Sequence, residues 1–275
     1  MAHTFNKDKY IRPPGSLTEI IAHPNGPSQP SLDVALFYEH RYAFYFWNNW
    51  TRKWREQQQL VTAPALVTFD WHQDLAWPTN AQRRQLQDLD LSSNEAVAYY
   101  SWTGLSHIND EQIIAAAHLD LVGDIYVLCR QGKNEHDWLD KEYIDYQGRV
   151  HWIKKFRTIE TLEQHMTLQD LEMVFWDVDL DFFTLDNPYS GSGTAYTYVP
   201  DDEITNILDP HRSLMKWMLQ RLGGITIAIE PAHCGGLQPA HRLLDKFNDA
   251  LFHPGLLSRY GNNTFMRAGW KHLQH

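Results

Sequence analysis

Four apolar runs in this 275-residue chain each break off into acidic side chains, and that recurrence constrains the fold more than any other feature. Asp33 to Tyr38 leads into Glu39-His40, and Ala65 to Phe69 leads into Asp70-Trp-His72-Gln-Asp74. Met173 to Trp176 leads into Asp177-Val-Asp179-Leu-Asp181, and Ile225 to Ile229 into Glu230-Pro-Ala-His233. Short apolar runs that alternate with helical patterns predict an α/β chain with a parallel sheet. Asp124 to Cys129 reads as a further strand, and Tyr42 to Gln58, Ser92 to Tyr100, Asp110 to Leu121, Ile204 to Leu222 and Pro239 to Ala250 read as helices. In the first of these, Phe44, Trp47, Trp50 and Trp54 recur at steps of three or four and make one aromatic, core-packing face. Thr161 to Leu171 reads as another helix, with Thr161 and Gln164 in capping-box spacing.

No internal repeat or linker divides the chain, so residues 1–275 are expected to form one domain. A β-hairpin inserted above the sheet is expected over 141–156, where Gln147-Gly148 separates two extended runs. Residues 187–200 have loop composition and are expected to form a lid. The net charge of −10 argues against a nucleic-acid surface and suits a cationic substrate. No run is apolar enough to cross a bilayer, and Met1 to Gly15 has no apolar core, so a cytoplasmic protein is the expectation. Cys129 and Cys234 are too few for a disulfide framework or a cysteine zinc site.

Side chains alternate along a strand, so Asp70, His72 and Asp74 can share a direction, as can Asp177 and Asp179. Ligands in open parallel sheets bind beyond the carboxyl ends of the strands, which brings these tips together. A D-x-H-x-D run arises by chance, an Asp-Val-Asp is often a solvated turn, and a lone His40 is commonly a hydrogen-bonded histidine. All three in order, each after an apolar strand, read as a metal site. Gathered carboxylates raise each other's pKa unless a cation neutralises them. Two imidazoles and four carboxylates fit two divalent ions, and oxygen-rich ligation leans toward Mn²⁺.

These tips resemble the arginase/deacetylase fold, specifically the bimetallic ureohydrolases, over roughly residues 30–240. That family carries a histidine after an early strand, then D-x-H-x-D, then D-x-D, then a late glutamate, matching His40, Asp70 to Asp74, Asp177 with Asp179, and Glu230. The resemblance implies a three-layer αβα architecture with a mainly parallel central sheet. It implies one manganese held by His40, Asp70, Asp74 and Asp177, and a second held by His72, Asp70, Asp177 and Asp179. Glu230 would pair with a substrate guanidinium, whose carbon is attacked by a metal-bridging hydroxide to release urea and an amine.

Phe37-Tyr38-Glu39 stands where ordinary arginases have Gly-Gly-Asp, and Asp181 comes two residues after Asp179, followed by Phe182-Phe183. Leu75-Ala-Trp-Pro has no counterpart to the segment that grips the α-groups of free arginine. These departures resemble the arginase-like uncharacterised protein family and, within it, the peptide arginases, which make ornithine inside ribosomal peptides. That resemblance implies an arginine-containing precursor peptide as partner, and ureohydrolases are often homo-oligomers. His233 is the first choice for the acid/base group and His107 the second; Cys234 beside His233 could act as a deiminase-type nucleophile only if the aspartates served no purpose. Two alternatives stay open: hydrolysis of a small free guanidine or amide, and a peptide-binding relative without turnover.

Overall fold

A computed structural model describes residues 8–26, 28–58, 62–132, 134–188, 194–260, 264–265 and 268–273. In chain order the strands and helices that matter here are β1 (Leu17–Ile21), β2 (Leu32–Phe37), α1 (Ala43–Gln58), β3 (Ala65–Asp70), α2 (Asn80–Gln87), α3 (Asn94–Thr103), α4 (Gln112–His118) and β4 (Ile125–Cys129). They continue with β5 (Lys141–Ile144), β6 (Val150–Phe156), α5 (Ile159–Met166), β7 (Val174–Asp179), β8 (Thr184–Asp186), β9 (Thr197–Tyr198), α6 (Asp201–Ile207), α7 (Ser213–Leu219), β10 (Leu222–Ala228) and α8 (Leu237–Leu251).

Eight of the strands form one sheet in the order β1-β2-β10-β7-β3-β4-β6-β5. The six inner strands run parallel, and only the edge strands β1 and β5 are antiparallel to their neighbours. Every residue of β3, β7 and β10 is buried, because helices cover both faces and leave no solvated side for alternation to mark. Along β2, Val34 and Leu36 join one core with α5 to α8, whereas Ala35 and Phe37 join the other with α1, α3 and α4. The result is the expected three-layer α/β sandwich. Among the described residues no helix is long and apolar enough to cross a membrane.

The aromatic face of α1 lies on β10. Trp54 Nε1 donates to Gly223 O at 3.1 Å, and a Cβ on Gly224 would sit 2.4 Å from the Trp50 ring. The paired glycines therefore let this helix approach the sheet closely.

The structure departs from the sequence reading at three places. The 141–156 hairpin forms, but β6 pairs with β4, so it is the edge of the main sheet and not an insertion above it. The 204–222 helix is two helices, α6 and α7, broken at Asp209-Pro210, where proline has no N–H to continue the ladder. The α5 cap is Thr158, whose side chain accepts from Thr161 N, not Thr161 itself. Of the 187–200 segment, residues 189–193 lie outside the described residues. Its flanks pair as β8 and β9, and they reach the loop after β10: Tyr196 Oη donates to Ala232 O at 2.8 Å and Tyr198 Oη to Cys234 O at 3.0 Å.

Candidate metal centre

The chain leaves β3 toward β4 on one side and leaves β7 toward β10 on the other. A crevice at the carboxyl ends of β3 and β7 follows from this reversal, the usual ligand position of a doubly wound sheet. Asp70 ends β3 and Asp179 ends β7, so both flank it. His40 enters from the short 3₁₀ turn between β2 and α1, and Glu230 from just beyond β10.

The His40 ring sits between two groups of carboxylates. Its Nδ1 lies 2.9 Å from Asp74 Oδ2 and 3.4 Å from both Asp70 Oδ2 and Asp179 Oδ2. His72 Nδ1 lies 3.0 Å from Asp181 Oδ2 and 3.6 Å from Asp70 Oδ1. Asp70 thus turns one oxygen to each histidine, the geometry of a bridging carboxylate. His72, Asp181 and His233 also gather ligand atoms within 4.8 Å of one another.

Asp177 is not in this cluster. Register explains why: Asp177 pairs across the sheet with Thr68 and with Thr226, one pleat below the rim, which leaves Asp70 level with Asp179. Its carboxylate accepts from Thr68 Oγ1 at 2.7 Å and Thr226 Oγ1 at 2.6 Å, and lies 2.8 Å from His40 Nε2. A carboxylate on the far nitrogen fixes the ring of a ligating histidine and its tautomer. The resemblance gave Asp177 and Asp179 as ligands; the structure sets Asp177 behind His40, against its Nε2, and turns Asp179 and Asp181 toward the Nδ1 atoms of His40 and His72. Trp47 Nε1 donates to Thr226 Oγ1 at 3.3 Å, so the aromatic face of α1 reaches this support.

The buried carboxylates and the two histidines shift one another strongly. Burial, then the Asp74 and Asp181 carboxylates, hold Asp70 well above the usual carboxylate range. Burial, then Asp181 and Glu230, do the same to Asp179. Burial opposes a charged His72, yet its Asp181 and Asp70 partners raise it to about 11. His40 Nδ1 and Asp70 Oδ2 are buried and make no hydrogen bond, although oxygens crowd near them. Donor atoms that converge without bonding one another fit a pair of divalent cations, and a set of imidazoles and carboxylates without thiolate suits a metal that prefers oxygen and nitrogen.

A cavity of about 480 Å³ opens above the cluster, from His72, Asp74, Asn109, Glu230 and His233 outward to exposed Ile108 and Lys141. Glu230, Asp74 and Asn109 all take left-handed backbone, at φ of 34°, 49° and 57°. Asn and Asp tolerate this region; Glu230 does so at a cost, as is common where a fold aims a functional group. Glu230 Oε1 accepts from His40 N at 2.8 Å and from Asn109 Nδ2. Burial, with Asp181 and Asp74 adding to it against the pull of His40, pushes its carboxyl up to about 8.

Of the two acid/base candidates, the structure places His233 in the cavity, its Nε2 3.6 Å from Glu230 Oε2 and its ring edge-to-face with His72. His107 is exposed and outside the cavity lining; the same loop presents Asn109 in its stead. Cys234 is buried, its Sγ bonded to Ile229 O at 3.4 Å, and burial drives its thiol far above the range where a thiolate forms, which argues against a nucleophile.

Sequence reasoning missed Asn109 and the approach of Asp181 to His72. The alternation of three aspartates places Asp181 on the right face, but only the sheet register sets its depth. Asn109 leaves no signal beyond the ease with which asparagine takes left-handed backbone.

No protein-family model matches this sequence, and no curated protein matches it. Among solved structures it is similar to an arginase from Medicago truncatula, at 16% identity and a TM-score of 0.40, over 77% of this chain and 57% of that one. It is similar to an agmatine ureohydrolase of Thermoplasma volcanium, at 16% identity and a TM-score of 0.39, over 78% of this chain and 60% of that one. A proclavaminate amidino hydrolase from Streptomyces clavuligerus gives 12% identity and a TM-score of 0.40, again over 78% and 60%. The chain spans less than two thirds of the length of each of the three.

Proposed function

We propose that this protein is a manganese-dependent hydrolase of guanidino groups, acting on arginine side chains within a peptide to give ornithine and urea. The observation that carries the reading is the joint geometry of one cavity: a carboxylate shared by two histidine-bearing clusters at its floor, and buried Glu230 beside them. Two bound Mn²⁺ ions would supply a water of lowered pKa as the nucleophile. His40, Asp70, Asp74 and Asp179 would hold one ion, and His72, Asp70, Asp179 and Asp181 the other.

The chain's own groups do the rest. Glu230 accepts hydrogen bonds from the planar guanidinium and fixes its carbon above the cluster. The cation lowers the pKa of Glu230, so substrate binding favours the ionised form it needs. His233 is held below its ordinary pKa by burial first, with Asp181 opposing, so its neutral ring can take a proton and return it to the leaving nitrogen. Water adds to the guanidinium carbon, the bond from that carbon to the chain-bearing nitrogen breaks, and the proton goes to that nitrogen.

The rim supports a peptide substrate through exposed Ile108 and, in the adjoining segment, exposed Trp77. Lys141 favours a second reading, because an ammonium at the rim could pair with the α-carboxylate of a free guanidino acid. Mass spectrometry of an arginine-containing peptide incubated with Mn²⁺-loaded protein tests the proposal. A loss of about 42 Da per arginine, absent with Asp70→Ala, is the expected result. Urea from free arginine alone moves the activity to the second reading, and no reaction with either probe despite bound metal removes both.

A further inference from the structure

Asn109 carries a polar atom that none of the described residues engages. The residue is 7% exposed and lies at the foot of the cavity beside Glu230. Its amide nitrogen donates to Glu230 Oε1 and, at 3.4 Å, to Glu39 Oε2. Two carboxylates at one end settle which way the amide faces, since the reversed group would set its oxygen against both. The oxygen is left buried, and it accepts no hydrogen bond among the described residues. A buried acceptor without a donor is rare in a folded protein and points to a partner outside the chain.

Glu230 is divided in a complementary way. Its Oε1 already accepts from His40 N and Asn109 Nδ2, whereas its Oε2 faces His233 across 3.6 Å. We infer that Asn109 Oδ1 and Glu230 Oε2 together form a two-pronged acceptor that grips adjacent N–H groups of a planar guanidinium or amidinium. Asn109 is then a binding residue, taking one N–H while the carboxylate takes the other together with the charge. This rests on the guanidinium reading of the cavity and deepens it. A carboxylate alone attracts any cation, and the second prong selects a flat one with parallel donors. It also accounts for the left-handed backbone at residue 109, which turns this side chain inward while its neighbours His107 and Ile108 face solvent.

Calorimetric titration of guanidinium chloride into full-length, Mn²⁺-loaded protein at constant ionic strength tests the inference. The variants are Asn109→Gly, which suits the backbone and removes the acceptor, and Asn109→Asp, which keeps an acceptor and removes the donor to Glu230. Asn109→Gly should bind guanidinium about 10-fold or more weakly, the usual consequence of losing a hydrogen bond to a charged group. Asn109→Asp should bind at least as well as the parent. Unchanged binding by Asn109→Gly overturns the inference, and so does equal weakening in both variants, which would leave Asn109 only as a prop for Glu230. Parent protein that binds no guanidinium overturns the functional reading itself, and this inference with it. Parent binding lost in Glu230→Gln but kept in Asn109→Gly overturns this inference alone.

Discussion

At the scale of single residues, the centre is decided by depth as much as by identity. Asp177 and Asp179 are chemically the same and point to the same side of the sheet, but one pleat separates the carboxylate behind His40 from the one at the rim. This difference is measurable. Asp177→Asn should keep two Mn²⁺ per chain while binding them about 10- to 100-fold more weakly, as loss of an orienting carboxylate does. Asp179→Ala should lose a metal outright. Manganese titration followed by electron paramagnetic resonance distinguishes them, and equal loss of stoichiometry in both would return Asp177 to the cluster. The residue types of the centre were legible in the sequence because strand tips declare themselves by an abrupt change from apolar to acidic. The frame of the aspartate run was not, since a parallel register depends on partners 109 and 49 positions away in the chain. His107 and Asn109 show the same limit in a loop, where composition gives no direction to a side chain.

At the scale of elements, α1 does more than fill the core. Its tryptophans press on the glycine pair of β10 and, through Trp47 and Thr226, reach the carboxylate behind His40. Gly224→Ala would drive a methyl group into the Trp50 ring, so we expect a loss of about 1–3 kcal/mol in urea denaturation from overpacking. A substitution without effect there would mean that α1 can shift on the sheet. The aromatic face of this helix and its core role were legible from periodicity alone. Periodicity did not give the break between α6 and α7 or the place of the 141–156 hairpin, because both are settled by what packs or pairs against them.

At the scale of the whole molecule, stability toward acid is tied to histidines far from the cavity. His23 joins the start of the sheet to the start of β10: its Nε2 lies 3.0 Å from Leu222 O, and its Nδ1 accepts from Asn25 N. Burial holds its pKa below the ordinary 6.5, with the Leu222 carbonyl opposing. His118 and His165 are lowered by burial in the same way. The unfolded chain then binds more protons than the folded one as pH falls below 6.5, so this contribution to stability is present above that value and is lost beneath it. The gap in urea midpoint between the parent and His23→Gln should therefore narrow from about pH 7.5 to about pH 5.5. A gap that stays constant would mean that His23 is not held neutral.

The Thr68–Asp177–Thr226 row has one more consequence. The side chains of β7 repeat every two residues, so sliding that strand by two positions would keep every apolar group on its proper face. Greasy contacts alone would tolerate such a misalignment. Two hydroxyls aimed at one buried carboxylate would not, since the slide would pull the carboxylate away from both in the dry middle of the sheet. The row thus works as a key in a keyway, letting β7 seat between β3 and β10 in a single alignment and so setting the height at which the aspartates emerge at the rim.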